Sequence, residues 1–523
     1  MNNRPECCGK PMYSRGHKAE SGRQRYRCGK CRSSTTGSGE SSIAIGYDAQ
    51  LAAGHCDSIK KKIKNGLNRF VVTCAQDTTG KNAKFFASLL KYCEHNGAEL
   101  LIIPVHYKNI SLYTAGQEYK KSWNRDLLPY IIDRDIDLGG NIRVMASIKI
   151  NATAANPLAG KESIAGTKWT IFGHAQVAME PVASPANKMP KRMYTTGSVT
   201  LENYSQTNDG AKAKFHHTNG ALIVETYGNK AFVRQLNADH KGGFYDLLKY
   251  YSPHKVTDGH RLLALTPGDG HEKFMSRAVR LATYDGEYNM LDTLKPEYLF
   301  HHDLLDGYAG SHHHESDPVL QFKKHHNGDN DYRAEIDNVV SFIDRTSRQE
   351  TQTCIVPSNH HDHLYKFLSR ADANKDHQNA IFIAEMQQLM REAVMRGENH
   401  DPFELYVKQR IDNVVFLDRS IPFVLKGVDY SQHGDVGVNG SRGSAAALAK
   451  SVYKMIIGHS HSARIKKGVY QVGKSSGRHE YEKGLGMSSN THAIQYQNGK
   501  RALVDIINGH WCLDNLLEAR KAA

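Results

Sequence analysis

The stretch Leu262-Leu263-Ala264-Leu265-Thr266-Pro267-Gly268-Asp269-Gly270-His271 decides how the C-terminal half of the chain reads. Four apolar residues run into a Pro/Gly turn, and the turn delivers a carboxylate and an imidazole. A buried strand that ends in a ligand-bearing loop is how an α/β scaffold places polar groups along one edge of its sheet. The same punctuation recurs downstream. Residues 298–300 run into His302-Asp303, residues 354–356 lead to Asn359-His360, and residues 455–457 run into Gly458-His459-Ser460-His461. A fifth segment, Gln432-His433-Gly434, has no such apolar run before it.

Together the five segments offer enough oxygen and imidazole to hold two divalent ions. Asp269 and His271 lie two apart on a loop, so both can turn to one ion. Asp303 arrives from the next strand end, and its two oxygens can bridge two ions. Asn359 offers a neutral carbonyl oxygen, and His433 and His459 offer imidazoles to complete the second ion. His461 can turn back to the first. The expectation is a pair of octahedral-type sites about 3.5–4 Å apart, sharing Asp303 and a water, which is the arrangement for in-line phosphoryl displacement. Oxygen and nitrogen donors without thiolate suit Mn²⁺, Mg²⁺, iron or Zn²⁺ and argue against copper(I) and iron–sulfur clusters. Mn²⁺ is the first choice and Mg²⁺ the second. His360, beside Asn359, is the candidate catalytic residue, placed to stabilise charge or to protonate a leaving alkoxide. Asp362 is its expected orienting partner. His361 is a rival for the catalytic role of His360 and a candidate substrate contact. Arg442, in the Gly/Ser-rich loop 437–444, is a candidate phosphate contact.

The 523 residues carry a formal net charge of +14, which favours a polyanionic partner such as DNA. Hydrophobic residues make up 39% of the chain, enough to bury several cores. No apolar run approaches the ~20 residues of a membrane helix. The first residues, Met1-Asn2-Asn3-Arg4-Pro5, show no secretory h-region. The expectation is therefore an intracellular, cytoplasmic protein with no membrane partner.

Four of nine cysteines fall in the first 31 residues. In a reducing compartment that crowding points to one structural Zn²⁺ held by Cys7, Cys8, Cys28 and Cys31. Cys7 and Cys8 are adjacent and point apart, so one can be a bystander with His17 in its place. The expected organisation is a zinc ribbon over 1–36, a Ser/Thr/Gly linker over 37–57, an α/β region over 58–255 and a catalytic domain over 256–523. Within the α/β region, residues 70–74, 82–96 and 99–105 read as strand, helix and strand, with Ala83, Phe86, Leu89, Leu90 and Cys93 at helical spacing. Asp77-Thr78-Thr79-Gly80 lacks Walker spacing and reads as a helix N-cap. Short strands at 143–150, 169–172, 221–225 and 231–235 suit a DNA platform or an oligomer contact.

The order D-x-H, Asp, N-H, His, G-H-x-H resembles the calcineurin-like metallophosphoesterase superfamily, which includes the SbcD-type DNA nucleases. The motifs span about 190 residues of the chain. The sequence departs from the family where His302 and Ser358 stand for glycine, where Gln432 precedes His433, and where His361 displaces the acidic residue after the catalytic histidine. Phe85-Phe86-Ala87-Ser88-Leu89-Leu90-Lys91-Tyr92-Cys93, Ile171-Phe172-Gly173-His174 and Asn439-Gly440-Ser441-Arg442-Gly443-Ser444 are similar to phage-encoded members identified as DNA nucleases, such as the pre-early DNA-degrading proteins of T5-like phages. The resemblance implies an α/β fold of two face-to-face sheets flanked by helices, with the ligand loops at one edge. It also implies a dinuclear-metal phosphodiesterase acting on DNA, in phage infection on host DNA in the host cytoplasm, and a possible homo-oligomer. The alternatives are a phosphatase or small-substrate phosphodiesterase of the same superfamily, and a non-catalytic DNA-binding or assembly protein.

Overall fold

The computed structural model describes residues 6–7, 10–11, 13–17, 24–28, 30, 34–36, 49–107, 122–185, 188–479 and 482–522, with backbone alone for those before 27, for 34–36 and for 522. Cys8 and Cys31 lie outside the described residues, as does the side chain of Cys7. Of the four expected zinc thiolates, only Cys28 is described in full, and it is buried. The described part of the N-terminus is strand: Tyr13–His17, Gln24–Arg27 and Ser34–Thr36 pair in that order.

The chain divides into two compact units, one of residues 1–182, 191–260 and 500–502, the other of 183–190, 261–499 and 503–523. The division falls at 260/261 where the sequence suggested 255/256, and residues 183–190 belong with the C-terminal unit. The linker reading of 37–57 extends too far, because a helix already runs over Ala49–Lys64. Ala52, Cys56 and Ile59 form its buried stripe at steps of four and three. The Ser/Thr/Gly bias that suggested a linker stops at Ser42, ahead of that stripe.

The N-terminal unit is built on a four-stranded sheet ordered Lys230–Asn237, Gly220–Tyr227, Arg69–Gln76, Glu99–Val105. The last two are parallel and joined by the helix Ala83–Asn96. Asn82 caps that helix by accepting from the Phe85 N–H at 3.2 Å, and Gly97 ends it in the left-handed region. Asp77–Gly80 is therefore not the cap: Asp77 is buried and accepts from the Tyr107 N–H. Phe85, Leu89 and Tyr92 pack on Val71, Ile102 and Ile223. Beneath them the Arg234 guanidinium is buried between Glu225 at 2.8 Å and Asp246 at 2.7 Å. A second run of strands in this unit is ordered Met179–Val182, Lys191–Thr195, Trp169–Phe172, Ile142–Met145, Ile136–Gly139.

The C-terminal unit holds the five segments. Its larger sheet is ordered Val414–Phe416, Gln352–Ile355, Tyr298–His301, Ala264–Thr266, Thr491–Gln495, with Arg501–Asp505 beyond. The first four strands are mutually parallel, so all their C-terminal ends emerge at one edge. Another run is ordered Val424–Leu425, Val428–Asp429, Lys454–Ile457, Val469–Gln471, Arg464–Lys466, and its Val428–Asp429 and Lys454–Ile457 are parallel too. Tyr430 ties the two together: its ring stacks on Phe300 at 3.9 Å and its hydroxyl donates to Gln495. Helices cover the larger sheet. Tyr332–Thr346, capped by Asp331, buries Ile336, Val339, Phe342 and Ile343. In Ala380–Met395, Met386 is core while Met395 is 86% exposed. Among the described residues no helix is long and apolar enough to cross a membrane.

Candidate metal centre

The loops after the parallel strands Ala264–Thr266, Tyr298–His301 and Gln352–Ile355 emerge at one edge, the loops after Val428–Asp429 and Lys454–Ile457 of the other run meet them there, and the seven expected ligands gather in one place. His461 Nε2 lies 3.4 Å from Asp269 Oδ2 and 3.0 Å from His271 Nε2, and His271 Nε2 is 4.0 Å from Asp303 Oδ2. On the other side of Asp303, His433 Nε2 stands 3.0 Å from Oδ2. His459 Nδ1 donates to Asn359 Oδ1 at 3.1 Å, and the His433 and His459 rings are 5.3 Å apart. Asp303 thus stands between a group of Asp269, His271 and His461 and a group of Asn359, His433 and His459.

The backbone is strained to achieve this. His271, Asp303, His459 and His461 all adopt positive φ, at 41°, 48°, 75° and 56°. Non-glycine residues in that region each cost on the order of 1–3 kcal/mol, a cost that concentrates at functional sites. Gly458 has to be glycine for a different reason. A Cβ there would run into Asp269 Oδ1 and sit 3.2 Å from His433 Nδ1.

The donor set fits divalent ions on three observations. Both carboxylate oxygens of Asp269 and Oδ1 of Asp303 are buried without a hydrogen-bond partner, while Asp303 Oδ2 has only the His433 imidazole, and a buried orphan of that kind is expensive unless a cation satisfies it. Next, His271 donates its Nδ1–H to Asp306 Oδ2 at 2.7 Å, which leaves the Nε2 lone pair facing the cluster. That is the tautomer a metal-ligating histidine needs, fixed by a carboxylate behind it. Finally, His271 Nε2 faces His461 Nε2 at 3.0 Å, as His302 Nδ1 faces His433 Nδ1. Facing lone pairs at that distance call for a proton or a cation between or beside them.

Without an ion the charges are in conflict. Burial, helped by the Asp303 charge, pushes the Asp269 carboxyl up to about 8. Burial acts on Asp303 in the same sense, but His433, His360 and His271 outweigh it and hold that carboxyl well below its ordinary value. Burial would lower His433, yet Asp303 overrides it and carries the imidazole up to about 9.

The candidate catalytic residue His360 is about a quarter exposed, and its Nδ1–H donates to the Asp306 carbonyl at 2.9 Å. Asp306 Oδ2 lies 3.8 Å from the same nitrogen. The acidic residue beside His360 is thus Asp306 rather than the expected Asp362. Asp362 turns away to Arg419 at 3.3 Å, which also holds Asp435. His361 is buried and accepts from the Leu304 N–H through Nε2, so it is not a surface for substrate. Arg442 is exposed in its loop, where its backbone bridges Val436.

Three residues of the cluster went unread in the sequence. Asp306 lies three past Asp303 in an unremarkable loop. His302 stood out only as a departure from glycine, yet it reaches His433. His479, packed 5.5 Å from His461 and 5.1 Å from His271, follows no strand-end pattern and comes from a distant loop.

The chain is 31% identical over 471 residues to protein A1 of Escherichia phage T5, covering 86% of this chain and 83% of that protein. No family model and no solved structure matches.

Proposed function

The chain belongs to the family of protein A1 of Escherichia phage T5, and on that footing we propose that it is a metal-dependent deoxyribonuclease of the calcineurin-like type that degrades host DNA during phage infection. The observation that carries the reading is the pair of buried carboxylates, Asp269 and Asp303, three of whose four oxygens have no hydrogen-bond partner and which face a shell of imidazoles. The two runs of strands joined through Phe300 and Tyr430, with every ligand loop at one edge, are consistent with the two-sheet fold that the motif order implies.

Asp269, His271, Asp303 and His461 would hold one ion, and Asp303, Asn359, His433 and His459 the other. Bound there, Mn²⁺ or Mg²⁺ would neutralise phosphate charge and lower the pKa of a water. The chain's own residues do the rest. Asp306 fixes the His271 tautomer and, through its carbonyl, fixes the His360 ring by the Nδ1–H, leaving His360 Nε2 to carry a proton to the departing 3′- or 5′-oxygen. In the metal-free protein the charges of Asp303 and Asp306 outweigh burial and raise the pKa of His360. A net charge of +14 favours a polymeric phosphodiester over a small metabolite.

The test is degradation of plasmid and linear duplex DNA by the purified chain with Mn²⁺, Mg²⁺ or EDTA, beside His360→Ala. Metal-dependent loss of DNA that the variant lacks supports the reading. Turnover of a simple aryl phosphodiester with DNA left intact moves it to a small-substrate phosphodiesterase. Inactivity on both points to a DNA-binding role.

A further inference from the structure

A second set of imidazoles gathers in the C-terminal unit without sharing a ligand with the cluster above. His312 and His313 stand in the 3-10 turn His312–His314, and His363 in the first turn of the helix Asp362–Arg370. One ring nitrogen of each lies within 4.8 Å of the others. The rings of His312 and His313 are 3.8 Å apart, and those of His312 and His363 are 5.7 Å apart. We propose that His312, His313 and His363 form an additional site for a zinc-class divalent cation, with one coordination position left open to a phosphate oxygen.

Three imidazoles with a vacant fourth position are a donor set that borderline cations take, Zn²⁺ first among the available ones. With Zn–N bonds of about 2.0–2.1 Å, tetrahedral ligand nitrogens stand roughly 3.3 Å apart. His312 and His313 are exposed and need only small side-chain rotations to close from the observed spacing. Burial, with His360 and Lys366 beside it, lowers His363 to about 4, so it is a neutral donor near pH 7. The local carboxylate, Glu315, is already held by Arg370 at 2.6 Å, so water or an anion fills the remaining position. Lys366 and Arg370 make an anion the favoured occupant. The His360 ring lies 4.9 Å from His363, so a phosphate bound here would sit close to the proposed reaction centre. The metal site itself does not depend on the nuclease reading, since none of its three residues is a ligand there.

Zinc bound per chain is measured at neutral pH by elemental analysis after desalting and by competition with a chromophoric chelator. The samples are wild type, the exposed-residue variant His312→Ala/His313→Ala, and Asp303→Asn as a control for the main cluster. The proposal predicts that the double variant binds one equivalent fewer than wild type, with an unchanged melting curve in EDTA, and that Asp303→Asn keeps that equivalent. Equal zinc in wild type and double variant overturns the site. Inorganic phosphate should tighten the zinc equivalent specific to these histidines several-fold; no effect of phosphate overturns the open position.

Discussion

Asp269→Asn should stabilise the metal-free protein and weaken its response to metal. Both oxygens of Asp269 are buried without partners, and burial pushes the carboxyl from 3.8 to about 8. The folded pKa lies above the unfolded one. The group's full contribution is therefore present below 3.8 and is lost as pH rises towards about 8. At about pH 7.5 the metal-free protein bears most of that penalty, on the order of 3–5 kcal/mol at roughly 1.4 kcal/mol per unit. Asparagine resembles the protonated carboxyl and carries no such penalty. For a unit of this size the gain corresponds to about 10 °C in Tm. Mn²⁺ narrows the gap, because wild type gains about 2.7 kcal/mol per site at a hundredfold excess over Kd and the variant loses a ligand of one site. The assay is thermal and urea unfolding of both proteins in EDTA and in Mn²⁺. A variant less stable than wild type in EDTA, or equal metal responses in the two proteins, would refute the reasoning.

Asp303→Asn should do the opposite in EDTA, costing about 3–5 kcal/mol because it leaves the buried His433 cation unpaired, a loss that urea unfolding reads directly. Gly458→Ala drives a methyl into Asp269 Oδ1 and should weaken Mn²⁺ binding in calorimetry, whereas Gly477→Ala, with open space at its Cβ, should not. Asp306→Asn should slow DNA cleavage about 10–100-fold by removing the carboxylate that orients His271 and the charge 3.8 Å from His360, whose bond to the residue 306 carbonyl stays, while Asp362→Asn, which touches only Arg419 among these groups, stays close to wild type in the same rate assay. His492 accepts from the Gly268 N–H, faces Thr283 Oγ1 through Nε2, and is lowered by burial to about 4. The unfolded chain then binds the extra proton first, so stability should fall from pH 6.5 towards 4 by about 1.4 kcal/mol per unit. His492→Gln should flatten that slope in urea titrations across the same pH range.

Strand ends were the legible part of this chain. Apolar runs closing on Gly, Asp or His placed Asp269, Asp303 and Asn359 on loops at one edge, because parallel strands of one sheet must end together, and placed His459 after a strand of the other run. Helical spacing likewise located Ala83–Asn96, to within one residue. The signals that failed are local ones for non-local facts. Asp362 looked like the partner of His360 because it is close in sequence, but the first helical turn aims it at Arg419. Asp306 and His479 reach the cluster through tertiary packing, which no spacing rule reports. The Asp77 turn looked like a cap because it precedes a helix, while the capping geometry belongs to Asn82, three residues before the N–H it satisfies. Positive φ at His271, Asp303, His459 and His461 is equally silent in sequence, since glycine is the residue that advertises it.

The most direct test of the two-ion centre is anomalous diffraction from a crystal of the protein grown with Mn²⁺. The account predicts two strong peaks about 3.5–4 Å apart with an Asp303 oxygen between them, one beside Asp269, His271 and His461, the other beside Asn359, His433 and His459. No peak at Asp303, or a single ion leaving Asp269 or His433 unliganded, would contradict it.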